Sequence, residues 1–280
     1  MPFTISHVAA VLPCHRTLRR YGLFSAAIIG SMVPDFGFLL PVPLHRSETH
    51  SARALFTFCL PLGLATYWLF QLLVKTAWCA ILPGRWRARL RTEHPVARLR
   101  DWRIWLGAAL AVLAGAFTHL VWDGFTHEDG RGVRMLPFLD DDGPYVTGNP
   151  LPLYQWLQLG SSVVGLAIVL AALWKWTRND RPLDSAAAPA TPTWPYPDLA
   201  AWERLFWLSA YLLVAAVAML VAVAPELHRG RSWYTVGGML SRLAFAGLGG
   251  LSVSIGVVSA LVRLRLALLR RRLDDRSRLQ

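Results

Sequence analysis

Histidine and aspartate seldom enter a bilayer, yet His119 and Asp123 lie four residues apart in His119-Leu-Val-Trp-Asp123, and His127 follows four later. On a helix, residues i and i+4 share a face, so both side chains can reach one ion. The pair closes a stretch, 104–122, with no Asp, Glu, Lys or Arg. Ionisable groups at membrane depth are costly and mark functional sites. Neutral imidazole and carboxylate suit zinc, and also iron or manganese. An ion with three or four protein ligands and an open position lowers the pKa of bound water to about 7, and a second ion about 3.5–4 Å away clamps both oxygens of a phosphoryl displacement.

The candidate metal ligands are His7, Asp35, His50, His119 and Asp123. His45, Arg46 and His127 are candidates to act on the reacting group. Arg46 or His45 would stabilise a developing oxyanion, and His127 would support the centre or move a proton. Plainer roles stand beside each. His119 and Asp123 can hydrogen-bond across helices, Asp35 after Pro34 can cap a helix, and His7 and His50 can be ordinary terminal and interfacial residues. The run Asp140-Asp-Asp142 reads as a solvated turn, because a calcium loop spaces its acids.

The order Ser6-His7, Pro34-Asp35, His45-Arg46-Ser-Glu-Thr49-His50-Ser51, His119-xxx-Asp123 resembles the membrane-bound metal-dependent hydrolases of bacteria. Met1-Pro-Phe-Thr-Ile-Ser-His7 and Thr118-His-Leu-Val-Trp-Asp-Gly-Phe-Thr-His127 look like a bacterial membrane family within that grouping, of the domain-of-unknown-function 4184 type. The ligand order is also similar to the helical zinc-dependent phospholipases C. That likeness implies one divalent metal, zinc by its donors, on Asp35, His50, His119 and Asp123, and a second on His7 and Asp123. The hydrolases often carry a second acid after the Pro-Asp pair, where Phe36-Gly37 stand here. A third ion would need more ligands than His127 and Glu128 supply.

The elements that must position these residues are helices. The chain of 280 residues is 54% hydrophobic and 16% charged, with mean hydropathy +0.37, more apolar than a soluble domain. Stretches 55–74, 104–122, 157–174, 205–224 and 243–262 lack charge and approach the roughly 20 residues that cross a hydrocarbon core. The expectation is an all-α polytopic bundle of about five membrane helices, preceded by an interfacial or re-entrant helix that Pro34 ends near Val33. Its parts are an N-terminal polar segment 1–54, a bundle 55–262 with a proline-rich linker 181–198, and a basic tail 263–280.

Eight Lys/Arg in loop 75–103 and seven Arg in the tail set the orientation. The positive-inside rule puts both in the cytoplasm and loop 123–156 outside. With five spans, residues 1–54 fall outside too, and the candidate ligands share one side of a cell inner or plasma membrane. The net charge of +12 serves lipid head groups; no nucleic-acid signature accompanies it. Cys14, Cys59 and Cys79 form no CxxC pair and read as small apolar residues. The leading functional reading is a metal-dependent hydrolase acting on a phosphoester or similar bond of a lipid or envelope substrate. The alternative is a non-enzymatic membrane protein that handles a metal, protons or a solute, or binds a partner.

Overall fold

A computed structural model describes residues 4–39, 44–82, 86, 101–146, 149–178, 196, 198–228 and 236–278. Most of the basic loop 75–103 and of the linker 181–198 lies outside them, as do Arg229 and Arg231. Five helices among the described residues are long and apolar enough to cross a membrane. They are α4 (Leu55–Ile81), α5 (Trp102–Thr126), α7 (Leu153–Arg178) and the spans Ala201–Val221 and Gly249–Asp275. The last two lie in α8 (Ala201–His228) and α9 (Val236–Arg278). The fold is an all-α polytopic helical bundle.

Ahead of the spans come a 3₁₀ segment Thr4–Cys14, α1 (His15–Arg20), α2 (Phe24–Met32), a second 3₁₀ segment Val33–Leu39 and the short α3 (Arg46–Thr49). Pro34 lacks the N–H that would continue α2, so the α-helix gives way to the tighter 3₁₀ turn there. Two π turns, Leu55–Cys59 and Phe70–Val74, interrupt α4. Pro61 follows the first, and its missing N–H and ring bulk account for the widened turn. After α5 come α6 (Arg131–Met135) and a small hairpin, β1 (Asp142–Val146) with β2 (Asn149–Pro152).

The described chain forms two compact units, one within 1–68 and 97–180, the other within 69–96 and 181–280. In the first, α2 packs on α5 through small residues. A Cβ on Gly30 would collide with the Val112 carbonyl, and one on Gly115 with the Ala27 carbonyl and the Ser31 nitrogen. The buried stripe of α5, Ala108, Ala111, Val112, Gly115, Ala116, His119, Asp123 and Thr126, follows the helical repeat. The polar residues therefore continue a packed face and do not interrupt a lipid face. Gly165 of α7 lies close against Ser6, which seats the N-terminal segment on that helix.

The second unit has its own core of Ala77, Ala80, Ile81, Leu199, Val258, Val262 and Leu266. Gly250 lets α9 approach the Ala215 carbonyl of α8. Ser254 donates to the Tyr211 carbonyl at 2.6 Å, and Arg265 holds Glu203 through two nitrogens at 2.8 and 3.1 Å.

Candidate metal centre

Close packing of α2 on α5 places the first ligand. Gly115 lies one turn before His119 and admits the α2 backbone, so His119 Nδ1 comes 2.8 Å from the Ser31 carbonyl. A carbonyl only accepts, so Nδ1 carries the proton and Nε2 presents a lone pair. His50 is fixed the same way. The Thr49 hydroxyl lies 2.7 Å from His50 Nδ1 and 3.4 Å from the Arg46 carbonyl, so with the proton on Nδ1 it accepts from the ring and donates to the carbonyl. Asp35 is oriented by Thr4, whose hydroxyl donates to Oδ2 at 2.7 Å and leaves Oδ1 facing inward.

These three residues meet. His50 Nε2 lies 3.3 Å from Asp35 Oδ1 and 3.4 Å from Asp123 Oδ2. His119 Nε2 lies 3.6 Å from each of the same two oxygens. A tetrahedral ion with bonds of about 2.0–2.1 Å spaces its ligands about 3.3–3.4 Å apart. Asp35 Oδ1, His50 Nε2 and His119 Nε2 are buried and have no hydrogen-bond partner among the described residues. Buried polar atoms are rarely left so, and an absent ion is a recognised cause. Asp35, His50 and His119 therefore have the donor types and spacing that could hold one metal ion.

A second group, His7, His119 and Asp123, also has the spacing of metal ligands. His119 has only Nε2 to give, so it serves one ion. Asp123 can serve both, because Oδ1 lies 3.6 Å from His7 Nε2 while Oδ2 faces His50 and His119. The His7 and His119 rings stack with centroids 3.8 Å apart. Burial, and then the neighbouring His119, push His7 down to about 4, which keeps it a neutral donor. Burial by itself would raise Asp35. The imidazole of His50, then His119 and the Thr4 hydroxyl, outweigh it and hold the carboxyl below its ordinary value.

The three residues assigned to the reacting group separate. Arg46 Nη2 donates to Asp123 Oδ2 at 2.7 Å, so it belongs to the centre. His127 borders it. Its Nδ1 lies 3.3 Å from the Asp123 carbonyl and 3.7 Å from Oδ2, and its Nε2 lies 3.0 Å from the Gln158 amide nitrogen. Burial lowers the His127 pKa. His45 is exposed at the start of α3, where its backbone N–H donates to the Glu48 carboxylate at 2.8 Å. Sequence reasoning missed the orienting groups Thr4, Ser31 and Thr49, and of these only Thr49, inside the His50 motif, carried a local signal.

Fold and site together define a polytopic helical membrane protein with a buried His/Asp cluster of metal-ligating geometry. The chain belongs to the DUF4184 family, a domain of unknown function, whose model matches residues 1–260. No curated protein and no solved structure matches the chain.

Proposed function

We propose that this protein is a membrane-bound metal-dependent hydrolase acting on a phosphoester or similar bond of a lipid or envelope substrate. The observation that carries the reading is the convergence of three buried ligand atoms, Asp35 Oδ1, His50 Nε2 and His119 Nε2, with both imidazole nitrogens also within 3.6 Å of Asp123 Oδ2. Asp35, His50, His119 and Asp123 would hold one ion, with His7 and the second oxygen of Asp123 on another. A bound divalent ion supplies a water acidic enough to give hydroxide near neutral pH.

The chain's own residues do the rest. Asp123 neutralises cationic charge, and its hydrogen bond from Arg46 keeps that guanidinium beside the centre, where it can meet an anionic group. His127, tethered to the Asp123 carbonyl, offers Nε2 toward Gln158 and the adjoining cleft as a site to take or give a proton. The arginine-rich loop and tail argue for a cytoplasmic C-terminus and a site on the extracytoplasmic side.

The test is turnover of a chromogenic phosphodiester by the purified full chain in detergent, with metal supplied. Asp123→Asn should lower the rate by at least about 100-fold, roughly 3 kcal/mol of transition-state stabilisation. A rate unchanged by Asp123→Asn, or no turnover by the metal-loaded wild type of any phosphoester offered, would remove the hydrolase reading.

A further inference from the structure

The centre adjoins a cleft lined by Ser6, His7, Asp123, Trp122, His127 and Gln158, with Ser161 and Ser162 deeper along α7. Two membrane helices supply most of that wall. Asp123 lies about 4–5 Å and His119 about 10 Å inside the end of α5, while Ser161 and Ser162 lie about 12–14 Å inside the start of α7. Loop 127–152 joins these two ends, so they share one side of the membrane. Trp122, about 6 Å inside the end of α5, reaches Ser161, so this polar wall lies within the outer turns of two helices long enough to span a membrane.

The two faces of each helix meet at the cleft's lip. On α7, Gln158, Ser162 and Gly165 form the inner face, and Gly165 packs on Ser6. Leu157, Ser161 and Val164 form the next face, and Leu157 and Val164 are exposed. On α5, His119, Asp123 and Thr126 are buried, whereas Phe117, Val121 and Trp122 are exposed. Trp122 Nε1 donates to Ser161 Oγ at 3.2 Å across this boundary. This exposed hydrogen bond lies between the cleft beside the ligand cluster and the apolar outer faces of the two helices. A substrate dissolved in water has no need of an entrance at this depth. An amphiphile has one, because its chains stay in lipid while its head group crosses only the lip.

We infer that the cleft between α5 and α7 is a lateral port for a bilayer-resident amphiphile with an anionic head group. Trp122 and Ser161 form its lip. Gln158, whose amide nitrogen lies 3.0 Å from His127 Nε2, donates to the head group, and an ion held by His7 and Asp123 would take its charge. The inference rests on the metal reading of the centre, and it adds the direction of entry and the residues that select the substrate.

The experiment uses the full chain in phosphatidylcholine nanodiscs, loaded with Mn²⁺, without any demand for turnover. The probes are phosphatidic acid in the disc and inorganic phosphate in the water, each followed by paramagnetic broadening of its ³¹P line. Wild type should broaden phosphatidic acid well beyond phosphatidylcholine. Ser161→Phe, which fills the lip, should weaken that effect by about tenfold or more while phosphate broadening stays within about twofold. Gln158→Leu should weaken the lipid effect with the lip left open.

Manganese content is measured on every sample. Metal bound, with Ser161→Phe weakening both probes equally or neither, would overturn the port and leave the metal centre standing. No metal retained by wild type would overturn both. An unchanged lipid signal with a change in the number of copies per disc would make this face an interface between copies and overturn the port.

Discussion

At the residue scale, Asp35, His50 and His119 each have one atom held by an orienting group and one facing inward. Thr49 shows the logic. Its hydroxyl can donate to the Arg46 carbonyl at 3.4 Å while it accepts from His50 Nδ1 at 2.7 Å, the tautomer that leaves Nε2 a lone pair for a metal. Thr49→Val should keep the shape and release the imidazole, and metal affinity should fall by about 10–100-fold, the usual cost of losing such an orienting group. Competition with a chelator of known affinity measures it; unchanged affinity would dismiss the orienting role. His7 makes a second prediction, for the metal-free protein. Its folded pKa of about 4 lies below the ordinary histidine value of 6.5. Between these values the unfolded chain binds a proton that folded His7 refuses, so stability rises with pH across the window and is lost as pH falls. At full depth that is about 3 kcal/mol. His7→Asn should flatten the fall of melting temperature between pH 6.5 and pH 4; an unchanged slope would contradict the neutral, buried His7. The ligand types were legible in the sequence because His and Asp are conspicuous beside apolar runs. Thr4 was not, since a threonine near a terminus carries no signal until Asp35 is seen beside it.

At the element scale, the centre depends on how closely α2 and α5 approach. Gly115 permits the contact and Ser31 uses it to hold His119. Gly115→Ala should cost about 1–3 kcal/mol by overpacking. It should also reduce metal retention, by pushing the Ser31 carbonyl from His119. Melting temperature and metal content of the same preparation test both, and a variant unchanged in either would show the contact to be looser than described. The spans could be read from charge-free lengths, but their ends could not. Charge counting stops the first at Val74, whereas α4 runs on to Ile81 with Lys75 buried in the protein. A lysine ends a lipid-facing run but not a packed one. The hairpin was missed for another reason. Pro144, Pro150 and Pro152 argue against strands, yet a two-stranded ribbon has outer edges where a missing N–H is harmless, and β1 pairs Tyr145 with Pro150 there.

At the scale of the whole molecule, the ligands come from four separate segments of one unit: the N-terminal 3₁₀ turn, the turn after α2, the end of α3 and the last turns of α5. Arginine counting brought these segments to one side of the membrane without placing any two in contact. The packing of α2 on α5 and of the N-terminal segment on α7 supplies contacts that arginine counting does not, and that packing is written in glycines whose partners lie far away in the chain. The central claim is that this convergence exists to bind a metal. Elemental analysis of the full-length protein, purified in detergent without added metal, tests it most directly. Wild type should carry about one to two equivalents of a divalent metal, and His119→Ala, folded by its circular dichroism, should lose at least one of them. Wild type free of metal, or His119→Ala with its full complement, would contradict the account.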